Sequence, residues 1–279
     1  MPPSAFRKDG TNSNFSFGLP WPIEINKQYK CYIAEAHVPH VWTTIISNYN
    51  SCVYLEEVYD NSSGDRVTRQ RKITLEAKQY TIATLAAQLQ SKFNAGTFLP
   101  GSPYTWTFDA DQGKLSVQVA GASANSVARL LPMEFLRTNP AYFISFYGEA
   151  VGYVDSADLI IGLTQQIALA HTDTSPTQLE HVSMNPFHIL YLHCDSGLGT
   201  GEDSIGVMGN STALRSIPVT SGYGSMLHDD SLNGKDFTVV YPGQMQTFRF
   251  RLADVYWRPI PLSMPFSFSI ILEAVDELE

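Results

Sequence analysis

Hydrophobic and polar residues alternate along most of this chain, in short runs that end at turn residues. Phe15 and Phe17 alternate with polar neighbours near the N-terminus, and the runs 248–252 and 266–270 repeat the alternation near the C-terminus. A period of two bounded by turn residues is the pattern of a strand with one buried face. The ends of the chain therefore predict strands.

Two further runs predict strands with different surroundings. Tyr29, Cys31 and Ile33 share one parity, which indicates a single buried face. The residues at 52–55 are apolar on both parities, with Cys and Tyr on one side and Val and Leu on the other. This second pattern is typical of a strand that is covered on both faces.

One segment has a helical period instead. Its apolar residues fall at i, i+3, i+4, i+7 and i+11, and they are Ile82, Leu85, Ala86, Leu89 and Phe93. This spacing predicts a helix over 79–94 with one face packed on a sheet. Thr81 is the expected N-cap, and the sequence at 94–96 is a plausible end.

The clearest hairpin lies between residues 104 and 119. Tyr104, Trp106 and Phe108 alternate with threonines, the turn signal follows at 109–113, and an apolar face returns over 115–119. Further strands are predicted over 187–193, 214–219 and 237–241.

These elements predict an all-β fold, an antiparallel β-sandwich built as a single jelly roll with one packed helix and long loops. Residues 1–13 are polar and predict a flexible N-terminal arm. Residues 14–279 are predicted to form one jelly-roll domain, with an insertion around 121–187 as an open alternative. A short helix within 126–136 is a further alternative.

The low charge density changes the picture of the surface. Charged residues are 16% of the chain, whereas a typical soluble domain has about 25%. Neutral surface is suited to burial against neighbours, so assembly is indicated, although a compact Ser- and Thr-rich domain fits equally well. The net charge of −9 does not favour nucleic acid as a partner.

One basic cluster stands out in this acidic chain. Arg66, Arg69, Arg71 and Lys72 follow a turn at 61–65. A solvated hairpin is the simpler interpretation, and a contact with nucleic acid or an acidic neighbour is the alternative. The three arginines are therefore candidate interface residues.

The cysteines and the hydropathy pattern give expectations about the compartment. Three cysteines, Cys31, Cys52 and Cys194, cannot all pair within one chain, which favours synthesis in a reducing compartment. The polar start of the chain lacks the apolar core of a secretory signal. No apolar run reaches about 18 residues, so no membrane span is expected.

Histidines and cysteines do not predict a metal or cofactor site. His37 and His40 flank a Val-Pro pair that favours an extended chain, so their rings need not converge. His188 and His193 are five residues apart in a predicted strand and should point to opposite faces. Satisfied polar groups at strand ends are the simpler interpretation.

Catalytic motifs are also missing from the sequence. No G-x-S-x-G is present, and the glycine-rich run at 197–201 lacks the lysine of a phosphate-binding loop. Glu56 and Glu57 are adjacent on a predicted strand and should point in opposite directions, so they are not an acid/base pair. The acidic run at 273–279 is most simply a solvated tail. The sequence predicts a protein that is not an enzyme.

Tyr256 and Trp257 are the best candidates for a binding site among the aromatic residues. They lie in a proline-rich segment between the two C-terminal strands. Aromatic residues in such a loop serve as packing anchors, as interface contacts or as a platform for a glycan. We keep both residues as candidate interface or binding residues.

The order of these segments resembles the penton, or minor capsid, proteins of polintons, virophages and polinton-like or adintovirus-type DNA viruses. The resemblance is a pattern of segments over most of the chain, without a catalytic signature. The segments that carry it are Phe15–Ile25, Tyr29–Trp42, Asn48 with Asn50, Ile73–Leu75, Tyr80–Ile82 with Leu85 and Leu89, Trp106–Val119, Arg215–Val219, Tyr241–Pro242, Phe248–Asp254 and Phe266–Leu272.

This resemblance implies a jelly-roll subunit of a virion, located at the fivefold vertices of an icosahedral capsid and assembled in the host cytoplasm or nucleus. Its implied partners are four further copies in a homopentamer, the major capsid protein, and other minor capsid or cement proteins. Closure of the ring would use heterologous contacts between copies.

Two alternatives remain open at this stage. The first is a viral spike or attachment β-sandwich that binds a glycan or a host receptor, and it predicts a trimer or a monomer. The second is an enzyme on a jelly-roll scaffold such as a cupin, which requires histidines and a carboxylate clustered inside a barrel. The scattered histidines do not favour the enzyme.

Overall fold

A computed structural model describes residues 6–99, 101, 103–120, 125–147, 155–195, 198, 205–206, 209–210, 213–230 and 237–275. The chain forms two compact units. The terminal unit consists of residues 1–42 and 187–279, and the central unit consists of residues 43–186. The predicted organisation, one domain over 14–279 with an insertion around 121–187 as the alternative, stays a prediction.

The strands and helices follow one another along the chain. In order they are β1 (Phe6–Gly10), β2 (Asn14–Ile25), β3 (Tyr29–Pro39), β4 (Cys52–Asp60), β5 (Arg66–Thr74), α1 (Ile82–Asn94), β6 (Tyr104–Asp109), β7 (Lys114–Val119), β8 (Val127–Leu131), α2 (Met133–Thr138), α3 (Pro140–Tyr147), α4 (Asp158–Ile161), β9 (Ile167–Ala170), β10 (Thr177–His181), β11 (Ile189–Cys194), β12 (Ile205–Gly206), β13 (Gly209–Asn210), β14 (Ala213–Pro218), β15 (Met226–Asp229), β16 (Thr238–Val240), β17 (Gly243–Ala253) and β18 (Ser267–Ala274).

The terminal unit contains two larger antiparallel sheets. One has the strand order β1-β2-β17-β11-β14. In the other, β3 pairs with β18 and also with the short strands β15 and β16. The early strand β2 pairs with the late strand β17, and this interleaving is the wrapped order of a jelly roll rather than a meander. The predicted all-β antiparallel class is confirmed.

Aromatic side chains form much of the core of the terminal unit. The ring of Phe15 lies 6.1 Å from Phe250 and 5.7 Å from Phe266, and Phe250 meets Phe268 edge to face at 4.8 Å. Offset and edge-to-face pairs of this kind add about 0.5–1.5 kcal/mol each beyond the burial of their area. The aromatic residues whose alternation predicted these strands therefore pack against one another in the core.

Part of the predicted N-terminal arm is a strand. Phe6 pairs with Gly18 and Gly10 pairs with Phe15, so β1 continues the sheet beyond β2. A positive φ of 111° at Gly10 forms the turn, where a Cβ atom would lie 2.2 Å from the carbonyl oxygen of Asn14. The remainder of the arm before residue 6 lies outside the described residues.

The central unit has its own sheets and core. One sheet has the order β5-β4-β8-β9 and the other has the order β10-β7-β6. The predicted hairpin of β6 and β7 forms, and Trp106 lies opposite Val117 in it. Helix α1 buries Leu85, Leu89 and Phe93 in the core that these sheets share, as its period predicts. Thr81 caps it by accepting a hydrogen bond from the N–H of Thr84.

Strand β4 is buried on both faces, as predicted. Val53 and Leu55 belong to the core that includes α1, whereas Cys52 and Tyr54 pack with Leu136 of α2 on the opposite face. The sequence prediction of one packed helix was incomplete, because α2, α3 and α4 also form. The predicted short helix within 126–136 forms at the end of that range, where α2 begins at Met133, whereas Val127–Leu131 form strand β8 and pair with β4 and β9.

Some predicted segments lie outside the description. The glycine-rich run at 197–201 is described only at residue 198, and the acidic tail is not described after residue 275. Among the described residues, no helix combines the length and the apolar character that crossing a membrane requires.

Candidate assembly surface

Among the aromatic side chains whose exposure is described, the most exposed one of the terminal unit lies on a large bulge in β2. Ile23 pairs with Met245 and Gly18 pairs with Thr247, so residues 19–22 oppose the single residue Gln246. The side-chain amide of Gln246 donates a hydrogen bond of 3.3 Å to the carbonyl oxygen of Leu19. The extra residues must leave the plane of the sheet, as in other bulges.

Trp21 lies within this bulge and is 61% exposed. It stands between Pro20 and Pro22, which have fixed φ angles and no N–H to offer to a ladder. The prolines stiffen the backbone around the indole, so little conformational entropy would be lost when a partner covers it. Rigid, exposed tryptophans are the residues that most often dominate the energy of an interface. We call residues 19–22 the Trp21 bulge.

The terminal unit also has an open strand edge. In the described part of the chain, β18 pairs with β3 alone. It is eight residues long, and the alternate residues Ser267, Ser269, Ile271 and Glu273 are exposed. An uncovered edge of this length presents free N–H and C=O groups to another chain.

Exposed apolar side chains are concentrated in the terminal unit. Besides Trp21, the large ones among the described residues of this unit are Ile189, Tyr223, Met226, Phe237, Tyr241, Val255, Met264 and Ile271. Single exposed apolar residues are ordinary on a protein surface. Together with the Trp21 bulge and the open edge of β18, they give the terminal unit contact surfaces that do not depend on charge.

The loop that contains Tyr256 and Trp257 is organised by a buried carboxylate. Asp254 Oδ1 accepts hydrogen bonds of 2.9 Å from the N–H groups of Tyr256 and Arg258. Its Oδ2 accepts one of 2.8 Å from Nε of Arg258. The loop is thus a tight, internally bonded turn, and both aromatic residues are half-buried.

An arginine lies over the ring of each aromatic residue in this loop. The guanidinium of Arg258 is 5.7 Å from the ring centre of Tyr256, and that of Arg251 is 6.0 Å from the ring centre of Trp257. Stacking with a sugar requires a free ring face, and the arginine over each ring leaves at most one face for it. The geometry favours the role of packing anchors over that of a glycan platform.

Trp257 also covers a buried histidine. Its ring meets that of His193 edge to face at 6.1 Å, and Trp257 has a φ of 63°, which bulky residues seldom adopt. Burial, reinforced by the charge of Arg251, lowers the pKa of His193 to about 4, although Asp195 opposes the shift. His193 is therefore neutral at physiological pH and belongs to the packing of the loop.

The structure separates the three arginines of the basic cluster. Arg66 forms an ion pair of 3.1 Å with Asp60 at the base of the β4–β5 turn. Arg69 is exposed and lies 5.7 Å from the ring centre of Phe98, which is itself exposed. Arg66 and Arg69 are three apart on one strand and so project from opposite faces.

Arg71 is part of the interior of the central unit. Its guanidinium donates to Glu57 Oε1 at 2.7 Å and to the carbonyl oxygens of Phe93 and Ala95 at 3.0 and 2.8 Å. The last two acceptors lie at the C-terminal end of α1, where carbonyl groups lack partners within the helix. Arg71 thus joins β5 to α1, and the cluster does not form one basic surface.

The carboxylates of the adjacent residues Glu56 and Glu57 have different partners. Glu56 pairs with Arg129 at 2.5 Å, whereas the fully buried Glu57 also accepts hydrogen bonds from Tyr104 and Thr97 at 2.7 and 2.8 Å. Burial and the charge of Glu57 raise the pKa of Tyr104. These groups are occupied in holding the fold together.

The histidines near Pro39 also have separate surroundings. His40 Nδ1 lies 2.7 Å from the carbonyl oxygen of Ser221, and its ring stacks on Trp42 at 4.2 Å. Burial lowers its pKa. His37 is oriented elsewhere, stacked on His228 at 4.5 Å. The expectation that His37 and His40 do not converge agrees with this geometry.

Sequence reasoning did not select the Trp21 bulge or the edge of β18. The Pro-Trp-Pro sequence at 20–22 was the available signal, because two prolines exclude a regular central strand. The open edge had no local signal, since it depends on which strand lies beside β18.

Comparison with known proteins finds similar solved structures but no match by sequence. No protein-family model matches the chain, and no curated protein matches it. The crystal structure of the selenomethionine-labelled penton protein of mavirus is similar over 94% of this chain and 91% of that chain, with 9% sequence identity and a TM-score of 0.47. The match names the same class of protein as the sequence resemblance.

Proposed function

We propose that the chain is a structural capsid protein of the penton type, whose copies form a closed ring of five at the vertices of an icosahedral virion. The observation that carries the proposal is the pair of weakly charged contact surfaces on the terminal unit, the Trp21 bulge and the open edge of β18, where Glu273 is the exposed charged residue. The proposal assigns no catalytic role to any residue.

A closed ring requires two different surfaces on each copy, because a heterologous contact joins one patch to another. The Trp21 bulge belongs to the sheet that contains β2, and the open edge belongs to the sheet that contains β3. They offer different chemistry, an apolar anchor and a row of backbone hydrogen-bonding groups. Two distinct patches of this kind suit a ring better than a self-complementary dimer contact.

The low share of charged residues is compatible with tight association between copies. Stable interfaces bury about 800 Å² on each partner and exclude charged residues from their centre. A chain with 16% charged residues can supply such areas without leaving charges unpaired. The major capsid protein as an outer neighbour, and other minor capsid proteins, follow from the sequence resemblance and are part of the proposal.

Mass photometry of the purified chain, together with a Trp21→Ala variant, tests this function. We expect particles of five subunits for the natural chain and a shift towards monomers for the variant, because the indole that a neighbouring copy would cover is lost. Leu159→Ala is the matched control, since it removes an equally exposed apolar side chain from the central unit. A sample that contains monomers alone over the whole concentration range would contradict the proposal.

A trimer would instead favour the spike or attachment alternative. That function also needs an accessible aromatic platform at Tyr256 and Trp257, and an arginine already lies over one face of each ring. We therefore rank it second.

A further inference from the structure

Three metal-ligating side chains meet on the sheet that contains β3. Glu35 and His37 belong to β3, and His228 belongs to β15, directly opposite His37 in the antiparallel register. One ligand atom from each residue lies within 4.8 Å of the other two. Residues at i and i+2 and their cross-strand neighbour share one face of a sheet, so the backbone itself brings this trio together.

A bulge in β3 turns these residues towards solvent. Ile270 pairs with Ile33 and Ser269 pairs with Glu35, so Ala34 is the extra residue. Before the bulge Ile33 is buried, and after it Ala36 is buried. Glu35 would share the buried face of Ile33 in a regular strand, and the bulge moves it to the open face together with His37.

The distances approach those of a coordination sphere. His37 Nε2 lies 3.6 Å from Glu35 Oε2, and ligand atoms in a tetrahedral zinc site are about 3.4 Å apart, given bonds of about 2.1 Å. The rings of His37 and His228 are nearly parallel, 4.5 Å apart with an angle of 13°. Because imidazole lone pairs lie in the ring planes, one of the two stacked rings must turn out of the stack before both can bind the same ion.

We propose that Glu35, His37 and His228 bind one Zn²⁺ ion, with water in the fourth position. Two imidazoles and a carboxylate are an established ligand set for a zinc ion that keeps an open position. Imidazole ligands select for zinc and its neighbours among the transition metals rather than for calcium or magnesium.

The surroundings supply a second shell. The hydroxyl of Ser269 on β18 donates a hydrogen bond of 2.9 Å to Glu35 Oε1, which fixes the carboxylate as metal ligands commonly require.

Neighbouring groups do not compete for the ion. Asp229 follows His228 but is held by the guanidinium of Arg215 at 2.8 and 3.1 Å. The three cysteines are all buried. Among the described residues, Glu35, His37 and His228 are therefore the exposed group that best suits zinc.

Zinc at this position would fasten a short strand. β15 has only four residues, and the ion would join it to the long central strand β3 by bonds that the unfolded chain cannot form. Binding to the folded state alone raises the melting temperature. The site would therefore act as a clamp on the terminal unit, independently of whether five copies assemble.

Isothermal titration of chelator-stripped protein without a polyhistidine tag, using ZnCl₂, tests the proposal. We expect one ion per chain and a rise in melting temperature that EDTA reverses. His228→Gln and Glu35→Gln should each weaken binding by more than about tenfold, since even second-shell changes cost roughly 10–100-fold. Both side chains are exposed, so the variants should fold.

His188→Gln is the matched control, because it removes another exposed histidine of the terminal unit and should leave the affinity unchanged. Ser269→Ala should weaken binding by about tenfold while the stoichiometry stays at one. Absence of stoichiometric binding, or an unchanged affinity in His228→Gln, would overturn the site. Neither result depends on the oligomeric state.

Discussion

The guanidinium of Arg71 and the carboxylate of Glu57 lie 2.7 Å apart in the central unit, where Glu57 is fully buried and the side chain of Arg71 is 9% exposed. The two residues are diagonal neighbours on β4 and β5, since Glu57 is paired with Arg69 and Arg71 is paired with Leu55. Arg71, which the sequence groups with the basic cluster, is thus paired with Glu57 inside the fold. The pair also holds the end of α1 through the carbonyl groups of Phe93 and Ala95.

Removal of Arg71 should destabilise the central unit. Arg71→Ala would leave the carboxylate of Glu57 buried without its cation, and breaking one partner of a buried pair costs about 3–5 kcal/mol. Hydrogen exchange followed by mass spectrometry should show faster exchange in peptides from 43–186. Arg69→Ala is the matched control on the same strand, and it should change stability by no more than about 0.5 kcal/mol. Equal effects of the two changes would contradict the internal role of Arg71.

A buried carboxyl in the central unit should make the free energy of unfolding depend on pH. Burial raises the pKa of Asp158 from 3.8 to about 6, although the Ser156 hydroxyl and the N–H of Met133 oppose the shift. The native state therefore binds more protons than the unfolded state between pH 3.8 and about 6. Stability contributed by the protonated form is present at low pH and is lost as the pH rises through about 6.

Asp158→Asn tests this dependence, because the amide cannot ionise. We expect the variant to be more stable than the natural chain at pH 7.5 by about 1–3 kcal/mol, since one pKa unit is worth about 1.4 kcal/mol. The difference should shrink towards pH 4. Urea unfolding followed by circular dichroism at a series of pH values measures it, and a difference that does not vary with pH would contradict the assignment.

A buried histidine in the terminal unit should give the opposite dependence. His193 has a pKa lowered from 6.5 to about 4, so the unfolded state binds more protons in that interval. Its contribution to stability is complete above pH 6.5 and is lost as the pH falls towards 4. His193→Phe keeps a ring beside Trp257 and should remove this loss. The measurement is hydrogen exchange of the β11 peptide, corrected for the intrinsic rate at each pH. A loss of stability at low pH that persists in the variant would refute the role of His193.

The open edge of β18 should be sensitive to a new charge. Ile271→Lys places an ammonium group on an exposed position of the edge strand, and charged edge residues oppose pairing with another chain. We expect the variant to keep its circular dichroism spectrum and to lose higher oligomers in analytical ultracentrifugation. Ile271→Thr keeps a β-branched side chain without charge and serves as the control. Full assembly of the lysine variant would exclude β18 from the contact.

Local periodicity predicted the elements whose environment is set by their own residues. Helix α1 buries the face that its spacing indicated, and the hairpin of β6 and β7 has the register that its turn fixes. The two-sided burial of β4 was equally visible in its sequence. In each case the pattern repeats within fewer than 20 residues.

The candidate surfaces could not be predicted in this way because they depend on distant partners. The Trp21 bulge exists only because Ile23 and Gly18 take partners in β17. The bulge at Ala34 likewise depends on the pairing with β18, and it reverses the parity that places Glu35 and His37. The sequence shows residues at these positions but not the strand that will lie beside them.

An electron-microscopy map of the assembled particle tests the central claim most directly. The proposal predicts a ring with fivefold symmetry in which Trp21 is covered by the neighbouring copy. A particle of any other symmetry, or a ring of five in which the indole of Trp21 remains in solvent, would contradict it.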